Sequence, residues 1–286
     1  MDQNTSIFDL TQTCTELTRQ YDFIGCGSVG KTILQKQIPY LQIGKGKGNI
    51  LLIAGANATD SVSEALLVHF AKDLCHHITL KKQIFRISSS YLYENRSIWI
   101  LPRLNPDGNS LVRNGADPTC PLYERQLRMN RMKSDFSAWQ GNARGVVPAL
   151  NFGNDFAARR QKYLDMGQPS PLPCGEFPES EPETAALARF VDALSPICLA
   201  EFSEGSGSIC SNDAKLAKTA SELTELPTSD IPAEGVSAWF SQTYHRPALH
   251  IVCPNTGIGA YSLSVYNALR AFLFRFPFLF RYNCTE

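Results

Sequence analysis

Cysteine-based pairs with the spacing of zinc ligands are missing from this sequence. Its nine cysteines are scattered along 286 residues, and no C-x-x-C or C-x-x-H pair occurs. Structural zinc sites in small modules are built from such pairs, so a zinc knuckle is not expected. Several cysteines instead lie inside apolar runs, as Cys198 and Cys253 do. This placement predicts small buried side chains in a reducing compartment.

An excess of charge of either sign is also missing. Lys and Arg together number 27, Asp and Glu together number 27, and the formal net charge at pH 7 is zero. A chain without a net charge has no overall attraction for nucleic acid or for an anionic membrane. We therefore expect neither as a partner.

Long apolar segments are absent as well. The first residues contain neither a basic stretch nor an apolar one, so the sequence does not begin like a secretory signal. The apolar run at 269–280 is about a dozen residues long and is interrupted by Arg270, Arg275 and Pro277. A bilayer requires about 20 apolar residues. The expected location is the cytoplasm.

What the sequence does contain is an alternation of apolar strands and amphipathic helices. Residues 49–55 form a continuous apolar run, and residues 62–74 then place an apolar side chain at every fourth position. Further strands are predicted at 38–43, 97–101, 197–202 and 248–253, and further helices at 182–194, 233–244 and 260–274. This order predicts one α/β domain over 1–286, with a mixed central sheet of about eight strands flanked by helices.

Local signals between these elements predict turns and helix starts. Residues 61–64 and 180–183 match capping boxes, and residues 105–108 read as a tight turn, Asn-Pro-Asp-Gly. The stretch 109–145 shows little periodicity and is predicted to be a long loop.

Four segments, in order, resemble the zinc carboxypeptidase family. They are 28–41, similar to the opening "IGKSxxGRxIxxL"; 98–108, similar to "hhPxxNPDG"; 142–151, similar to "NxxGVDLNxNF"; and 180–184, which reads SEPET. The resemblance is nearest to the bacterial branch that cleaves γ-D-glutamyl–diamino acid bonds in cell-wall peptides. It covers about residues 20–275, and a phenylalanine-rich tail at 270–286 completes the chain.

The resemblance implies a zinc site whose residues are replaced here. The family's H-x-x-E aligns with residues 57–60, which places Asn57 and Asp60 at two ligand positions. The third ligand, a histidine, aligns with Phe202, and the catalytic glutamate aligns with Val252. A phenyl ring cannot bind zinc, and valine cannot accept a proton. No metal cofactor is therefore expected.

Two further sets of residues are candidates for binding. By resemblance, Arg128, Arg131 and Asn151 are candidates for holding a substrate. His250 lies two residues before Val252 in the same predicted strand, so it should face the place where the family has its zinc and catalytic glutamate, as should Phe202. A new metal or acid–base site could then join His250 to Asp60 and Glu204. The alternative is a hydrogen-bonded pocket histidine.

Three functions stay open from the sequence. The first is an inactive zinc carboxypeptidase-like protein that binds a peptide or a cell-wall peptide fragment. The second is an active hydrolase with a rewired site around Asp60 and His250. The third is a structural subunit that forms a homodimer through the phenylalanine-rich tail, for which core packing is the alternative.

Overall fold

The fold is an α/β sandwich built on a mixed sheet, as the alternation of strands and helices predicted. The computed structural model describes residues 10–153, 155–168, 170–230, 234–254 and 263–280. The strands are β1 Ile24–Lys31, β2 Gln37–Ile43, β3 Gly48–Ile53, β4 Gln83–Ile84, β5 Ile87–Ser88, β6 Arg96–Leu101, β7 Cys198–Gly205, β8 Ser208–Cys210 and β9 Ala248–Pro254. The α-helices are α1 Leu10–Gln20, α2 Val62–Leu80, α3 Ser89–Asn95, α4 Pro106–Asn114, α5 Tyr123–Met129, α6 Phe156–Asp165, α7 Pro182–Leu194, α8 Ala214–Thr224, α9 Val236–Tyr244 and α10 Leu263–Arg275. Short 3-10 turns lie at Pro148–Leu150 and Phe276–Phe278.

The central sheet has seven strands in the described residues, against about eight expected. Their order is β1-β2-β6-β3-β7-β9-β8, and β4 with β5 forms a separate hairpin. The four central strands, β6, β3, β7 and β9, run parallel, whereas β1, β2 and β8 pair antiparallel. The parallel strands are buried on both faces, which explains their continuous apolar sequences.

Helices cover both faces of this sheet. On one face α2, α8 and α10 pack against apolar side chains of the central strands, and α1 packs at the β1–β2 edge. On the other face α7 and α9 enclose a smaller core that includes Leu51, Ile53 and Leu199. The sheet therefore separates two cores. None of the helices in the described ranges is long and apolar enough to cross a membrane.

The local signals were less accurate than the strand pattern. Asn-Pro-Asp-Gly does not form an isolated turn: it begins α4, with the Asn105 side chain accepting a bond from the Gly108 N–H at 3.0 Å. Neither predicted capping box forms, because α2 and α7 have no side-chain cap from the box residues. The predicted loop at 109–145 contains the rest of α4 and all of α5.

The phenylalanine-rich tail packs onto the protein's own core. Phe272, Phe274 and Phe276 are fully buried, and Phe278 and Phe280 are partly buried against the same cluster. This is the core packing that was the alternative to a dimer contact. The homodimer stays a prediction, and residues 281–286 of the tail lie outside the described residues.

Candidate functional site

The candidate site lies where three parallel strands end. β3, β7 and β9 are neighbours that run in the same direction, so their carboxyl ends meet at one edge of the sheet. The loop after β3 carries Asn57 and Asp60, and Phe202 and Val252 lie in the second halves of β7 and β9. Open α/β sheets bind ligands at this edge. The four positions belong to one region of the fold.

Asp60 is buried, and the backbone occupies both of its carboxylate oxygens. Oδ2 accepts from the Asn57 N–H at 3.3 Å, and Oδ1 accepts from the Glu204 N–H at 3.2 Å. Burial holds the pKa of this carboxyl well above its usual range, although the two N–H bonds oppose the rise. Asp60 therefore joins the loop after β3 to the end of β7.

Phe202 points away from Val252, so the expectation that Phe202 and His250 share a face was wrong. The parallel register places Phe202 beside Ile251 and Ser203 beside Val252. Residues that pair across two strands point to the same face, and successive residues alternate. Phe202 is 1% exposed and lies in the larger core, beneath the helices α2 and α10.

His250 binds Ser203 rather than Asp60. The Ser203 hydroxyl and His250 Nε2 are 2.7 Å apart, and they lie on the same face of the sheet as Val252. No hydrogen bond or ion pair joins the described His250 to Asp60 or Glu204. His250 is thus a hydrogen-bonded histidine, which was the alternative to a new metal or acid–base site. The structure does not assemble the rewired pair of Asp60 and His250.

Glu204 is a residue whose role the sequence did not reveal. Its side chain accepts hydrogen bonds from the backbone N–H groups of Ser61 and Val62, at the start of α2. A carboxylate is favoured there because the first N–H groups of a helix have no partner within it and carry partial positive charge. Glu204 replaces the cap predicted for Ser61. No sequence pattern could predict this contact, because 143 positions separate Glu204 from Ser61.

Behind this loop a buried ion pair replaces the predicted capping role of Glu64. Arg103 donates to both carboxylate oxygens of Glu64, Nε at 2.7 Å and a terminal nitrogen at 2.5 Å. Arg113 lies 3.6 Å from the same carboxylate. Burial raises the pKa of Glu64 and the two arginines oppose the rise. The cluster ties α2, which carries Glu64, to α4, which carries Arg113. Removing one partner of the buried pair would leave an unpaired buried charge and destabilise the fold.

Asn151, predicted to hold a substrate, is instead a buried structural residue. It is fully buried, and its side chain makes five hydrogen bonds of 2.6–3.0 Å. The two N–H groups of Nδ2 are shared among three acceptors, Cys174 O, Phe177 O and Ser180 Oγ, and Oδ1 accepts from the Glu181 N–H and the Thr184 hydroxyl. An amide side chain has room for two donor and two acceptor bonds, so no capacity is left for a ligand. Read without a gap from Gly145, the motif places Ala149 at its first asparagine and Asn151 at its second.

Arg128 and Arg131 are exposed, as binding residues can be. Arg128 lies in the last turn of α5, and Arg131 follows the helix with a positive φ of 55°. Both side chains are therefore free to meet a ligand. Their role in binding stays a prediction.

A buried glutamate in the SEPET segment titrates near neutral pH. Glu183 is fully buried, accepts one bond from Asn142 Nδ2 at 3.2 Å, and has no hydrogen-bond partner at Oε1. Burial raises the pKa of Glu183 to about 7, and the neighbouring carboxylates of Asp107 and Glu181 add to the rise. The folded chain thus binds a proton that the unfolded chain has lost.

Glu183→Gln should therefore change how stability depends on pH. For an acid with a raised pKa in the folded state, stability falls as pH rises from the ordinary value of 4.5 to about 7, and is level above it. The variant lacks this penalty, so relative to wild type it should gain about 2 kcal/mol between pH 5 and pH 8. Urea denaturation at both pH values measures the difference. Equal differences at pH 5 and pH 8 would contradict the raised pKa, and the exposed Glu176→Gln is the control.

Comparison with known proteins agrees with this fold. Residues 10–226, more than half of the chain, match the zinc carboxypeptidase family model. The chain belongs to the zinc carboxypeptidase family. The family resemblance found in the sequence is confirmed, and the family accounts for the order of the four motifs.

Two solved structures and one relative illustrate the similarity. Carboxypeptidase A from Helicoverpa armigera has a TM-score of 0.66 at 14% identity, over 94% of this chain and 70% of that one. Murein-tripeptide amidase MpaA from Escherichia coli O157 has a TM-score of 0.54 at 18% identity, over 92% and 94%. Gamma-D-glutamyl-L-diamino acid endopeptidase 1 of Lysinibacillus sphaericus is 27% identical over 176 residues, 60% of this chain. The chain spans 43% of that relative, less than half its length.

The residues present do not fit the zinc ion that the family implies. Phe202 has no donor atom and lies in the core, and both oxygens of Asp60 accept backbone bonds. Asn57 could offer only a weak amide oxygen. Among the described residues, no group of three His, Cys, Asp or Glu side chains is arranged to hold a metal ion.

Proposed function

We propose that this chain is a member of the zinc carboxypeptidase family that binds a peptide or a cell-wall peptide fragment without hydrolysing it. The position of Phe202 carries the proposal. Phe202 stands at the position of the third zinc ligand, but its side chain lies in the core, on the opposite face of the sheet from Val252. A small movement of the neighbouring residues would therefore not restore a ligand there. Val252, in place of the catalytic glutamate, removes the proton acceptor as well.

The relatives support the class of ligand. The Lysinibacillus sphaericus relative is named for γ-D-glutamyl–diamino acid peptides and the Escherichia coli structure for a murein tripeptide. Exposed Arg128 and Arg131 supply positive charge that a peptide carboxylate would pair with. A rewired hydrolase is the competing function, and it would need His250.

Zinc content is the first test. The purified chain is dialysed first against a zinc solution and then against metal-free buffer. Inductively coupled plasma mass spectrometry should then find far less than one zinc ion per protein molecule. Stoichiometric zinc that is lost in Asn57→Ala and in Asp60→Asn would overturn the proposal. Asn114→Ala, at an exposed position away from the three zinc-ligand positions of the family, is the matched control.

Peptide turnover is the second test. γ-D-glutamyl-L-lysine and a panel of peptides with free carboxyl ends should stay intact with and without added Zn²⁺, Mn²⁺ or Co²⁺. Turnover that disappears in His250→Ala and persists in His76→Ala, an exposed helical histidine, would establish the rewired hydrolase instead. Turnover that persists in both variants would also sink the non-hydrolytic proposal.

Binding is the third test. γ-D-glutamyl-L-lysine should bind, and Arg128→Gln or Arg131→Gln should weaken it about tenfold, because a charge-assisted hydrogen bond contributes about 1.5–3 kcal/mol. Lys133→Gln, an exposed cation on the same loop, should bind as wild type does. Calorimetric titration measures all three. Equal affinity in every variant would remove the two arginines from the site.

A further inference from the structure

The strand β1 leaves one of its two edges unpaired. It lies at the end of the central sheet with β2 on its inner side, and no strand in the described ranges pairs with its outer side. Apart from the ladder with β2, the backbone of residues 25–29 makes no hydrogen bond to any described residue. Every second residue of an edge strand directs its N–H and C=O groups away from the sheet. The outer edge of β1 therefore presents free donors and acceptors.

The middle of this edge is open to solvent. Cys26, Gly27 and Ser28 are consecutive residues of β1, and all of them are exposed. The helices that contact β1 are α1 and α7, and they belong to opposite faces of the sheet: α1 packs in the larger core and α7 in the smaller one. The faces of β1 are thus covered by helices, whereas its outer edge is accessible to another chain.

Residues 24–28 lack the features that keep sheet edges from pairing with other chains. Natural proteins protect such edges with proline, with charged side chains or with a bulge. The segment reads Ile-Gly-Cys-Gly-Ser, which contains neither proline nor a charged side chain. The register shift of β1 lies beyond it, between Ser28 and Lys31, and Lys31 carries the charge that ends the strand. The unprotected part of the edge is therefore the segment 24–28, with Cys26 at its centre.

A partly exposed aromatic ring lies beside this segment. Gly25 and Gly27 have no side chains on the face they share, and the Tyr40 hydroxyl of β2 lies 2.6 Å from the place where a Cβ of Gly27 would be. Tyr40 is only partly buried, although its ring contacts Trp99 and Phe190 with centroids 5.1 and 5.3 Å away. Aromatic side chains are enriched in protein interfaces. A strand added at the edge of β1 would extend the sheet next to this ring.

A second copy of the same strand fits this edge. Two identical strands that pair antiparallel are related by a twofold axis, so the same residues supply the donors and acceptors on both sides. An axis at Cys26 would use the whole unprotected segment, because it pairs Ile24 with the partner's Ser28 and Gly25 with the partner's Gly27. The paired residues are uncharged, and the formal net charge of the chain at pH 7 is zero. Two copies therefore do not repel each other at this edge.

We propose that the chain forms a twofold-symmetric homodimer in which β1 pairs antiparallel with the partner's β1, with the axis at Cys26. The central sheet then continues from one protomer into the other. This interface differs from a contact through the phenylalanine-rich tail, whose described residues pack on the protein's own core. The paired segment is short compared with a standard interface, so the dimer should be weak and its population should depend on concentration. The inference does not depend on whether the chain binds or hydrolyses peptides.

Sedimentation equilibrium measures the association. The mass should rise from 31.7 kDa towards twice that value as the protein concentration increases from about 1 µM to about 500 µM. Cys26→Lys places two ammonium groups side by side across the axis and should stay monomeric, whereas Cys26→Ser should associate as wild type does. A monomer over the whole concentration range would overturn the proposal. So would association of Cys26→Lys with wild-type affinity, because the contact would then lie elsewhere on the chain.

Disulfide cross-linking tests the position of the axis. Opposed Cα atoms in an antiparallel pair are about 4.5–5.5 Å apart, a separation that a disulfide can span. Diamide, which takes up the electrons and protons that the thiols lose, should therefore link two wild-type chains through Cys26. Cys26→Ser, which keeps the partly exposed Cys120, should not be linked. Adding Lys218→Cys to that variant provides an exposed thiol on α8, which should be linked at least about tenfold more slowly than Cys26. Equal rates for the two thiols would contradict an axis at Cys26.

Discussion

Phe202→His is expected to lower the free energy of unfolding by about 3–5 kcal/mol and not to create a zinc ligand. The change restores the residue type that the family has at this position. In this chain, however, the side chain is 1% exposed within the larger core, so an imidazole would lose apolar contacts and bury ring nitrogens without partners. Urea denaturation followed by circular dichroism measures the loss.

Phe202→Leu is the matched control for that variant. Leucine keeps an apolar side chain of smaller volume and should cost about 1–2 kcal/mol, clearly less than histidine. A Phe202→His protein as stable as wild type would mean that the side chain reaches solvent, and the assignment of Phe202 to the core would be wrong. Zinc should not raise the melting temperature of either variant.

Asn151→Ala is expected to be nearly as damaging, with a loss of about 4 kcal/mol. The alanine leaves five partners without the asparagine, three of them on the buried residues Cys174, Glu181 and Thr184, and each unpaired buried group costs about 1–3 kcal/mol, partly recovered where a partner keeps another bond. Ser180 Oγ and Thr184 Oγ1 keep such bonds, to Glu181 Oε1 and to Glu181 O. The same denaturation experiment measures the effect.

Asn57→Ala is the control that distinguishes a structural role of Asn151 from a role in binding. Asn57 is partly exposed, and only its backbone is bonded to Asp60, so alanine there should change stability by less than about 0.5 kcal/mol. If Asn151→Ala were equally mild and instead weakened peptide binding, the residue would belong to the binding site after all. Stability and binding must therefore be measured on the same two variants.

The sequence was a good guide to elements whose own residues determine them. The strand at 49–55 and the helix from 62 were correct because a doubly buried strand and a one-sided helix each leave a periodic pattern. β1 was missed because Ile24–Lys31 contains three glycines and is largely exposed at the sheet edge, so it shows no alternation. The start of α4 was mistaken for a turn because Pro and Asn suit both.

The site was harder to predict, because it depends on contacts between distant segments. Alternation shows correctly that His250 and Val252 share a face, but it cannot relate them to Phe202 on another strand. That relation depends on the register of β7 against β9, and a shift of one residue exchanges the faces. The motif alignment likewise identified Asn151 and could not show that its amide was already fully bonded.

Glu204 makes the start of α2 depend on the assembled sheet. The first N–H groups of α2 are bonded by a carboxylate that lies 143 positions further along the chain, at the end of β7. While β7 has not yet joined β3, the beginning of α2 has no cap and frays, even if the rest of the helix has formed. The shape of the loop that carries Asn57 and Asp60 therefore depends on the pairing of β7 with β3, and not on the neighbouring residues alone.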